Sequence, residues 1–362
     1  MKAPVRDDLV EHRKRGAGGG GAAQQLAPRD FVLPQPAHEV LLKQILGATK
    51  SAREYDRTVI ATSEYELLTE AAGLADRSQR AKFVVRGGEA VDFLQGQVSN
   101  DVESLEPGTG CYATILNHKG KLRTDLRILR GEDFLWLDSE AVGHAVLRHM
   151  LVTYTLGRDV QWEDLTEDHA TLSLIGPAAD GLAGEAPPEA EHSFTDSGAG
   201  LWVRTDLGLD VLCGRPRADE LRAELSVEEV SEEAAECLRI ESGRPRLGVD
   251  MDAETMPQEA GINERAVDFE KGCYVGQETV ARLHWRGKPN RHLRGLRLSE
   301  PVERRTDILL GEKVVGRVSS TCVSPRLGPI ALALVRREAS PGDTVRVGTA
   351  EAQVVELPFE RG

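Results

Sequence analysis

The chain has 362 residues, of which 40% are hydrophobic and 29% are charged, a composition typical of a soluble globular protein with two or three domains. Its formal net charge of −14 argues against a large nucleic-acid footprint or an anionic membrane surface, because either needs a basic face to displace counterions. No apolar run approaches the roughly 20 residues that a membrane span requires. We expect neither direct nucleic-acid binding nor membrane insertion.

Residues 1–50 have the composition of a flexible tail. They begin with mixed charges, pass through a glycine-rich run at 16–21 and then carry three prolines. Such a composition does not offset the entropy lost on ordering. The first thirty residues also lack the apolar core of a signal peptide, and their acidic residues argue against a transit peptide. These features predict a cytoplasmic protein with a flexible N-terminal tail.

The fold is predicted to start near residues 55–68 and is clear by residue 83, where a short apolar strand precedes a helix. A strand at 111–116, a turn at 117–120 and a returning strand at 121–129 then predict a β-hairpin. Side chains alternate between the two faces of a strand. The returning strand therefore places its charged side chains on one face: Arg123, Asp125 and Arg127.

The same patterns predict further strands at 134–137, 171–175 and, as a pair, within 201–213, with helices at 140–150, 218–225 and 231–241. In the first of these helices the residues expected to face inward are Val142, Ala145, Val146 and His149. Residues 293–362 contain five or six short β-rich runs separated by glycine and proline. Such a pattern predicts a small antiparallel barrel.

The five cysteines are odd in number and widely spaced: Cys111, Cys213, Cys237, Cys273 and Cys322. No Cys-x-x-Cys pair is present to hold zinc or a cluster by itself. A reducing compartment is the natural setting for such a set.

One cysteine lies in an unusual stretch, Lys271-Gly272-Cys273-Tyr274-Val275-Gly276-Gln277-Glu278. The two glycines and the helical spacing that follows predict a tight turn at the start of a helix. Unpaired amides and the helix dipole favour an anion there, and Lys271 adds a positive charge. We predict a thiol that ionises readily; the alternative is a small buried cysteine in an ordinary turn.

This stretch, with Arg282, Arg286-Gly287 and Asn290-Arg291 behind it, resembles the signature of the YgfZ-type folate-binding proteins. These are relatives of the glycine cleavage T protein, an aminomethyltransferase, and they help to mature or repair iron–sulfur enzymes. Residues 88–102, 117–126 and 239–260 resemble other parts of the family pattern, so the resemblance covers most of the chain from about residue 80.

The resemblance implies an α+β fold, a ring of mixed α/β domains like that of the glycine cleavage T protein, with a small antiparallel β-barrel at the C-terminus. Residues 51–166 would form the folate-binding domain, completed by 239–288 with the cysteine stretch. Residues 167–238 would form a middle α+β domain, and residues 289–362 the barrel.

The resemblance also implies that tetrahydrofolate or a derivative binds in the central hole of the ring. Pocket candidates are Asn117, Asp125 and Glu241, although a buried acid equally serves to satisfy backbone amides. Arg282 and Arg286 belong to a basic segment that is either a solvated face or a site for the folate tail. Cys273 is the functional thiol, in a motif loop formed by Lys271, Gly272, Tyr274, Gly276, Gln277 and Glu278; Gln277 and Glu278 either touch a ligand or cap the helix.

The function implied is that of a folate-binding accessory protein in the assembly or repair of iron–sulfur enzymes, not a turnover enzyme. Its partners would be client enzymes or cluster carriers. A single thiolate holds one corner of a cluster, so Cys273 would be at most a transient cluster ligand and no stable metal is expected. The alternative is a tetrahydrofolate-dependent aminomethyltransferase or other one-carbon transferase. Against it, Thr124 stands where those enzymes carry the first of two adjacent acids.

Overall fold

The computed structural model describes residues 62–183, 187–198 and 200–360. The tail predicted for residues 1–50 lies outside the described residues. Within the described ranges, no helix combines the length and the apolar character needed to cross a membrane.

Seven α-helices occur in the described chain, and most lie between strands. The clearest local signal is Ser231, whose hydroxyl accepts a hydrogen bond from the Ala234 amide and so caps the helix that carries Glu232 and Glu233 in its first turn. The helices are α1 Thr62–Glu70, α2 Ala90–Gln95, α3 His144–Tyr154, α4 Arg215–Leu225, α5 Glu232–Glu241, α6 Asn263–Ala266 and α7 Gln277–Arg286.

Sixteen β-strands form two open sheets and one closed barrel in the described chain. The strands are β1 Gly73–Asp76, β2 Ala81–Arg86, β3 Thr109–Leu116, β4 Leu122–Arg130, β5 Leu135–Ser139, β6 Gln161–Asp164, β7 His169–Ile175, β8 Phe194–Asp196, β9 Leu201–Arg204, β10 Gly208–Gly214, β11 Arg291–Leu298, β12 Asp307–Leu310, β13 Lys313–Ser324, β14 Gly328–Arg336, β15 Thr344–Val347 and β16 Ala350–Val355.

The first sheet has the order β3-β4-β5-β2-β6 and contains the predicted hairpin as β3–β4. Leu126 and Ile128 of β4 pack into its hydrophobic core together with Phe83. The alternate residues Asp125 and Arg127 face the other way, as the alternation predicts, but both are buried. The charged face of the hairpin is therefore turned to another part of the protein and not to solvent.

The charged face of the hairpin faces the second sheet, which has the order β1-β7-β10-β9-β8. Arg127 Nη1 of the first sheet donates to Asp210 Oδ2 of β10 over 2.8 Å. A shared apolar cluster, which includes Trp136 from the first sheet and Leu212 from the second, lies beside this ion pair. The two sheets thus meet through an apolar contact and a buried ion pair.

The C-terminal strands close into a six-stranded antiparallel barrel of order β11-β14-β13-β12-β15-β16. Inward-facing side chains of its strands, such as Leu296, Val318 and Val354, are fully buried and fill the interior. The predicted fold class is confirmed by this combination of mixed α/β parts and a closed barrel.

The inward face predicted for the helix at 140–150 is wrong at Val142, Ala145 and His149, whereas Val146 is partly buried and packs against the core. Val142 is 48% exposed, and Ala145 and His149 are exposed as well. Residues 141–143 form a separate 3₁₀ turn, and α3 begins only at His144. The tighter turn changes the rotation of the chain, so that the face toward the core is made instead by Leu147, Met150 and Leu151.

Candidate functional site

A polar cavity of about 180 Å³ lies where the β3–β4 hairpin meets the second sheet. Its walls carry far more charge than a typical ligand pocket, which is mostly apolar. We call it the charged cavity. The ionisable residues that line it are Arg77, Arg80, Tyr112, Asp125, Arg127, Glu140, Glu191, His192, Asp206, Asp210, Arg244 and Arg265.

Asp125 is a carboxyl group of this cavity with a single side-chain hydrogen-bond partner. The Tyr112 hydroxyl donates to its Oδ2 over 2.7 Å, across the diagonal that the hairpin register creates. Its Oδ1 is buried and has no hydrogen-bond partner among the described residues. Burial raises the pKa of Asp125 to about 6, against the opposing effect of the Tyr112 hydrogen bond. The carboxyl can therefore hold or release a proton near neutral pH.

This raised pKa predicts a dependence of stability on pH. The native state binds the Asp125 proton more tightly than the unfolded chain, so between about pH 4 and about pH 6 the free energy of unfolding falls as the pH rises. The full loss is about 3 kcal/mol, and about half of it falls between pH 5 and pH 8. Urea unfolding of the wild type and Asp125→Asn across this range should show the variant gaining relative stability as the pH rises.

The exposed Asp92, which pairs with Arg158 on the surface, supplies a matched control for this measurement. Asp92→Asn should follow the wild type at every pH, because a surface pair contributes little. A stability difference between Asp125→Asn and the wild type that stays constant from pH 5 to pH 8 would contradict the assignment of the titration to Asp125.

Two more side chains of the charged cavity have buried polar atoms without a hydrogen-bond partner in the described part of the chain, Arg127 Nη2 and His192 Nδ1. Arg77 Nε also lacks a hydrogen bond, but it lies 3.7 Å from Glu232 Oε2 in an ion pair. Each unpaired buried group costs about 1–3 kcal/mol. Most buried polar groups in proteins are paired. Several unpaired groups around one cavity therefore indicate a site built for a polar ligand with both donors and acceptors.

The far wall of the cavity is held by ion pairs. Glu191 Oε1 accepts from Arg244 and from Arg265, over 2.5 Å and 2.9 Å. Burial opposes the ionisation of Glu191, but the Arg244 hydrogen bond and the neighbouring cations outweigh it and lower its pKa to about 2. The Arg265 guanidinium lies over the Tyr112 ring, 4.9 Å from its centroid. These contacts fix the wall around Asp125.

His192 completes this wall and stacks on Tyr112, with 6.4 Å between the ring centroids. Burial, reinforced by the charge of Arg127, lowers the pKa of His192 to about 4. The imidazole is therefore neutral at neutral pH and can act as a hydrogen-bond donor or acceptor, depending on its tautomer.

Glu241 lies in a different environment. Its carboxylate accepts from the Tyr65 hydroxyl over 2.9 Å and from Arg326 Nη2 over 2.7 Å, and also from Ser324. These partners join α1, α5 and the barrel, which is the structural role that the sequence left open for a buried acid. Contact between Glu241 and folate stays a prediction.

Glu241 also lines a second, larger cavity of about 890 Å³, which we call the barrel-side cavity. Arg297 and Arg326 lie on its wall. Three residues line both this cavity and the charged cavity: Asp206, Leu207 and Arg244. The two cavities therefore adjoin.

The remaining folate candidates lie away from the charged cavity in the described chain. Asn117 Oδ1 accepts from the amides of Lys119 and Lys121 and so stabilises the hairpin turn. Arg282 pairs with Glu278 on the exposed side of α7, and Arg286 is exposed at the end of the same helix. The structure does not bring these three side chains to Asp125, and their folate contacts stay predictions.

The motif loop around Cys273 is anchored on its N-terminal side by Lys271. The Lys271 ammonium donates to the backbone carbonyls of Gln95, Val98 and Asn100 over 2.6–2.9 Å, and burial lowers its pKa to about 8. All three of its N–H bonds are occupied by these carbonyls. Lys271 is therefore an anchor of the loop, with its ammonium bound to backbone carbonyls and not to Cys273.

On its C-terminal side the loop is closed by Gly276 and Gln277. Gly276 has φ of +88°, and a Cβ there would lie 2.5 Å from the Asn117 carbonyl oxygen, so no other residue fits without strain. The Gln277 side-chain amide reaches the carbonyls of Lys271 and Gly272, at 3.4 Å each. Gln277 therefore braces the loop, and Glu278 pairs with Arg282.

The result is an exposed cysteine on a supported loop. Tyr274 is buried at 7% exposure and packs against the hairpin, whereas Gly272 and Cys273 are exposed. Among the described residues, no group of three His, Cys, Asp or Glu side chains is placed to hold a metal ion. The loop thus presents a single thiol.

Thr124 is fully buried between neighbouring strands. Its hydroxyl contacts the Asp125 carbonyl oxygen and Ser139 Oγ, both over 3.0 Å. The side chain at position 124 therefore carries no charge and is held by the strand pair. Asp125 remains the carboxyl that this part of β4 offers to the cavity.

Sequence reasoning found Asp125 but missed the groups that surround it: Tyr112, Glu191, His192, Arg244 and Arg265. Glu191 and His192 lie in a stretch that reads as a loop, and no local pattern distinguishes them. Tyr112 lies on the strand that the sequence pairs with the strand of Asp125, and the observed register places the two diagonally.

Comparison with known proteins gives a consistent result. The model of the GCVT N-terminal domain matches residues 10–197, and that of the glycine cleavage T-protein C-terminal barrel domain matches residues 291–359. An aminomethyltransferase of Rubrobacter xylanophilus is 31% identical over 321 residues, covering 83% of this chain and 86% of the relative. An aminomethyltransferase of a Nostoc species is 28% identical and covers 83% and 88%.

A solved structure, the glycine cleavage system aminomethyltransferase T of Bartonella henselae, has the same fold, with a TM-score of 0.75 and 24% identity over 83% of this chain and 89% of that one. The comparisons do not separate YgfZ-type proteins from aminomethyltransferases, although the relatives carry the second name. Since the N-terminal domain model alone matches more than half of the chain, the protein belongs to the glycine cleavage T-protein superfamily.

Proposed function

We propose that this protein binds a reduced folate, with the pterin ring in the charged cavity. The observation that carries the proposal is the set of unpaired buried atoms there, above all Asp125 Oδ1. A pterin carries amide-like N–H groups that can donate to a carboxylate, together with acceptor atoms for the guanidinium group of Arg127. The residues present therefore fit the group that the superfamily implies.

The size of the two cavities is consistent with this placement. The charged cavity, at about 180 Å³, is smaller than the roughly 300–1,000 Å³ of common ligand pockets and suits the ring system alone. The adjoining barrel-side cavity, at about 890 Å³, has room for the rest of the molecule. Its cations Arg297 and Arg326 can pair with the carboxylates of the glutamate tail, although Arg326 already contacts Glu241.

The names of the relatives favour folate-dependent aminomethyl transfer as the activity. Tetrahydrofolate supplies the nitrogen atoms that accept a one-carbon unit in such a reaction. In this reaction the residues of the protein would orient the pterin ring and would accept or donate protons beside it. Asp125 is suited to the second task because its pKa lies near 6.

A second candidate function is favoured by two observations on this chain. Thr124 provides no charge where the transferases have an acid, and the exposed thiol of Cys273 sits on a loop braced from both sides. Both features suit an accessory protein for iron–sulfur enzymes, in which Cys273 acts on a partner beside the bound folate. The two candidates share folate binding and differ in transfer.

Cys273→Ala should leave the affinity for tetrahydrofolate within about twofold of the wild type, because Cys273 is exposed and does not line the charged cavity in the described chain. Calorimetry with both proteins measures this, and aminomethyl transfer is assayed on the same preparations. Transfer by both proteins would establish the transferase function and exclude the accessory role.

Absence of transfer, together with failure of Cys273→Ala to restore an iron–sulfur enzyme in cells that lack the protein, would establish the accessory role. Val275→Ala is the matched control in this rescue, since Val275 is an exposed neighbour on the same loop. Loss of folate binding in Cys273→Ala would contradict the placement of the pterin in the charged cavity.

A further inference from the structure

Two cysteines that the proposed function does not use lie in contact inside the protein. Cys237 on α5 and Cys322 on β13 have their Sγ atoms 3.2 Å apart, although they are 85 positions apart in the chain. Cys237 is fully buried, whereas Cys322 is partly exposed. Both side chains are free thiols within one apolar cluster between α1, α5 and the barrel.

We propose that this pair is a site of oxidative modification, at which hydrogen peroxide converts Cys237 and Cys322 into a disulfide that links α5 to the barrel. The inference goes beyond folate binding and does not depend on Cys273. The reduced structure already holds the two sulfur atoms in contact, and the proposal is that they can form a covalent bond.

The geometry requires little movement. A disulfide bond is about 2.0 Å long, so the sulfur atoms must approach by on the order of 1 Å from their present contact. The helix and the strand that carry them pack directly on one another along the apolar cluster.

The reaction balances with one molecule of hydrogen peroxide. The partly exposed Cys322 sulfur, as thiolate, attacks one peroxide oxygen; the S–O bond forms, the O–O bond breaks and water leaves after proton transfer. Cys237 sulfur then attacks the resulting sulfenic acid; the S–S bond forms, the S–O bond breaks and a second water leaves. Two thiols are oxidised and one peroxide is reduced to two waters.

Two neighbours set the conditions for this reaction. The Cys237 thiol donates to Glu241 Oε1 over 3.9 Å. The hydrogen bond with Cys237, burial and nearby acids raise the pKa of Cys322, so little thiolate is present at neutral pH. The bridge should therefore need excess peroxide and form slowly.

The bridge has a structural consequence near the barrel-side cavity. Leu238 and Glu241 of α5 line that cavity together with Arg326, which follows β13. A covalent link between α5 and β13 constrains the unfolded chain by closing a loop of 85 residues, which raises stability. It also holds two walls of the cavity in one arrangement.

The test uses the full-length protein treated with hydrogen peroxide, followed by alkylation of the remaining thiols after unfolding, digestion and mass spectrometry. We expect a cross-linked peptide containing Cys237 and Cys322, and a rise in melting temperature that dithiothreitol reverses. Cys237→Ser and Cys322→Ser should each lose both effects. Cys273→Ala should keep both, which separates this result from the outcome of the folate experiments.

The cross-link is measured on the wild type, so the proposal does not depend on whether a serine variant folds. Full alkylation of both Cys237 and Cys322 after peroxide treatment would overturn it. So would recovery of Cys322 as a sulfinic acid with Cys237 still reduced, because that product shows oxidation without bridging.

Discussion

Asp125→Asn should weaken the binding of tetrahydrofolate by about 10- to 100-fold, because hydrogen bonds to a charged group contribute about 1.5–3 kcal/mol and each 1.4 kcal/mol is tenfold in affinity. The substitution keeps the volume and the Tyr112 contact but removes the negative charge and turns one acceptor into a donor. The new amide N–H would face the N–H groups of the pterin, whose hydrogen bonds the Asp125 carboxylate accepts in the wild type. Calorimetry at neutral pH measures the change.

Asp92→Asn is the control for this experiment, since Asp92 is an exposed acid that pairs with Arg158 away from the cavity. It should bind tetrahydrofolate as the wild type does. Equal affinity of Asp125→Asn and the wild type would place the pterin elsewhere. The barrel-side cavity would then be the next candidate, and Arg297→Met would test it.

The local parts of this site could be predicted from the sequence because they depend on short-range patterns. Alternation along β4 identifies Asp125 and Arg127 as neighbours on one face, and the glycines around Cys273 identify a turn before a helix. Both features are determined by a few adjacent residues and by the geometry of one strand or one turn.

The environment of Asp125 could not be predicted in this way. Its raised pKa results from burial by the second sheet and by the segment that carries Glu191 and His192. Nothing in the residues next to Asp125 indicates that burial. The role of Lys271 shows the same limit, because its partners lie about 170 positions earlier in the chain.

Helix α3 shows a different kind of error. The apolar spacing of Val142, Ala145 and Val146 is compatible with a buried face, but it assumes that the helix is continuous from residue 140. The 3₁₀ turn at Ala141–Gly143 breaks that continuity, and the neighbouring Gly143 has no room for a side chain beside Ser139 and Thr124. A contact with β4 and β5, and not the local spacing, sets the rotation of this helix.

A buried carboxylate beside the charged cavity, Asp138, holds two of the cations that line it. Asp138 is fully buried and accepts from Arg80 Nη2 over 2.6 Å and from Arg127 Nε over 2.7 Å. Burial opposes its ionisation, but the two guanidinium groups outweigh burial and lower the pKa of Asp138. Arg80 and Arg127 both line the charged cavity. Asp138 therefore supports the cations that would contact the ligand.

Asp138→Asn should lower the free energy of unfolding by about 3 kcal/mol or more, because it leaves two buried guanidinium groups without their shared counter-charge. Urea unfolding at neutral pH measures the loss. Asp307→Asn removes the same charge from an exposed pair with Arg317, and its loss should stay within about 1 kcal/mol. Equal losses in the two variants would mean that Glu140 and Asp210, the other acids paired with Arg80 and Arg127, already hold these cations, and that Asp138 does not organise the site.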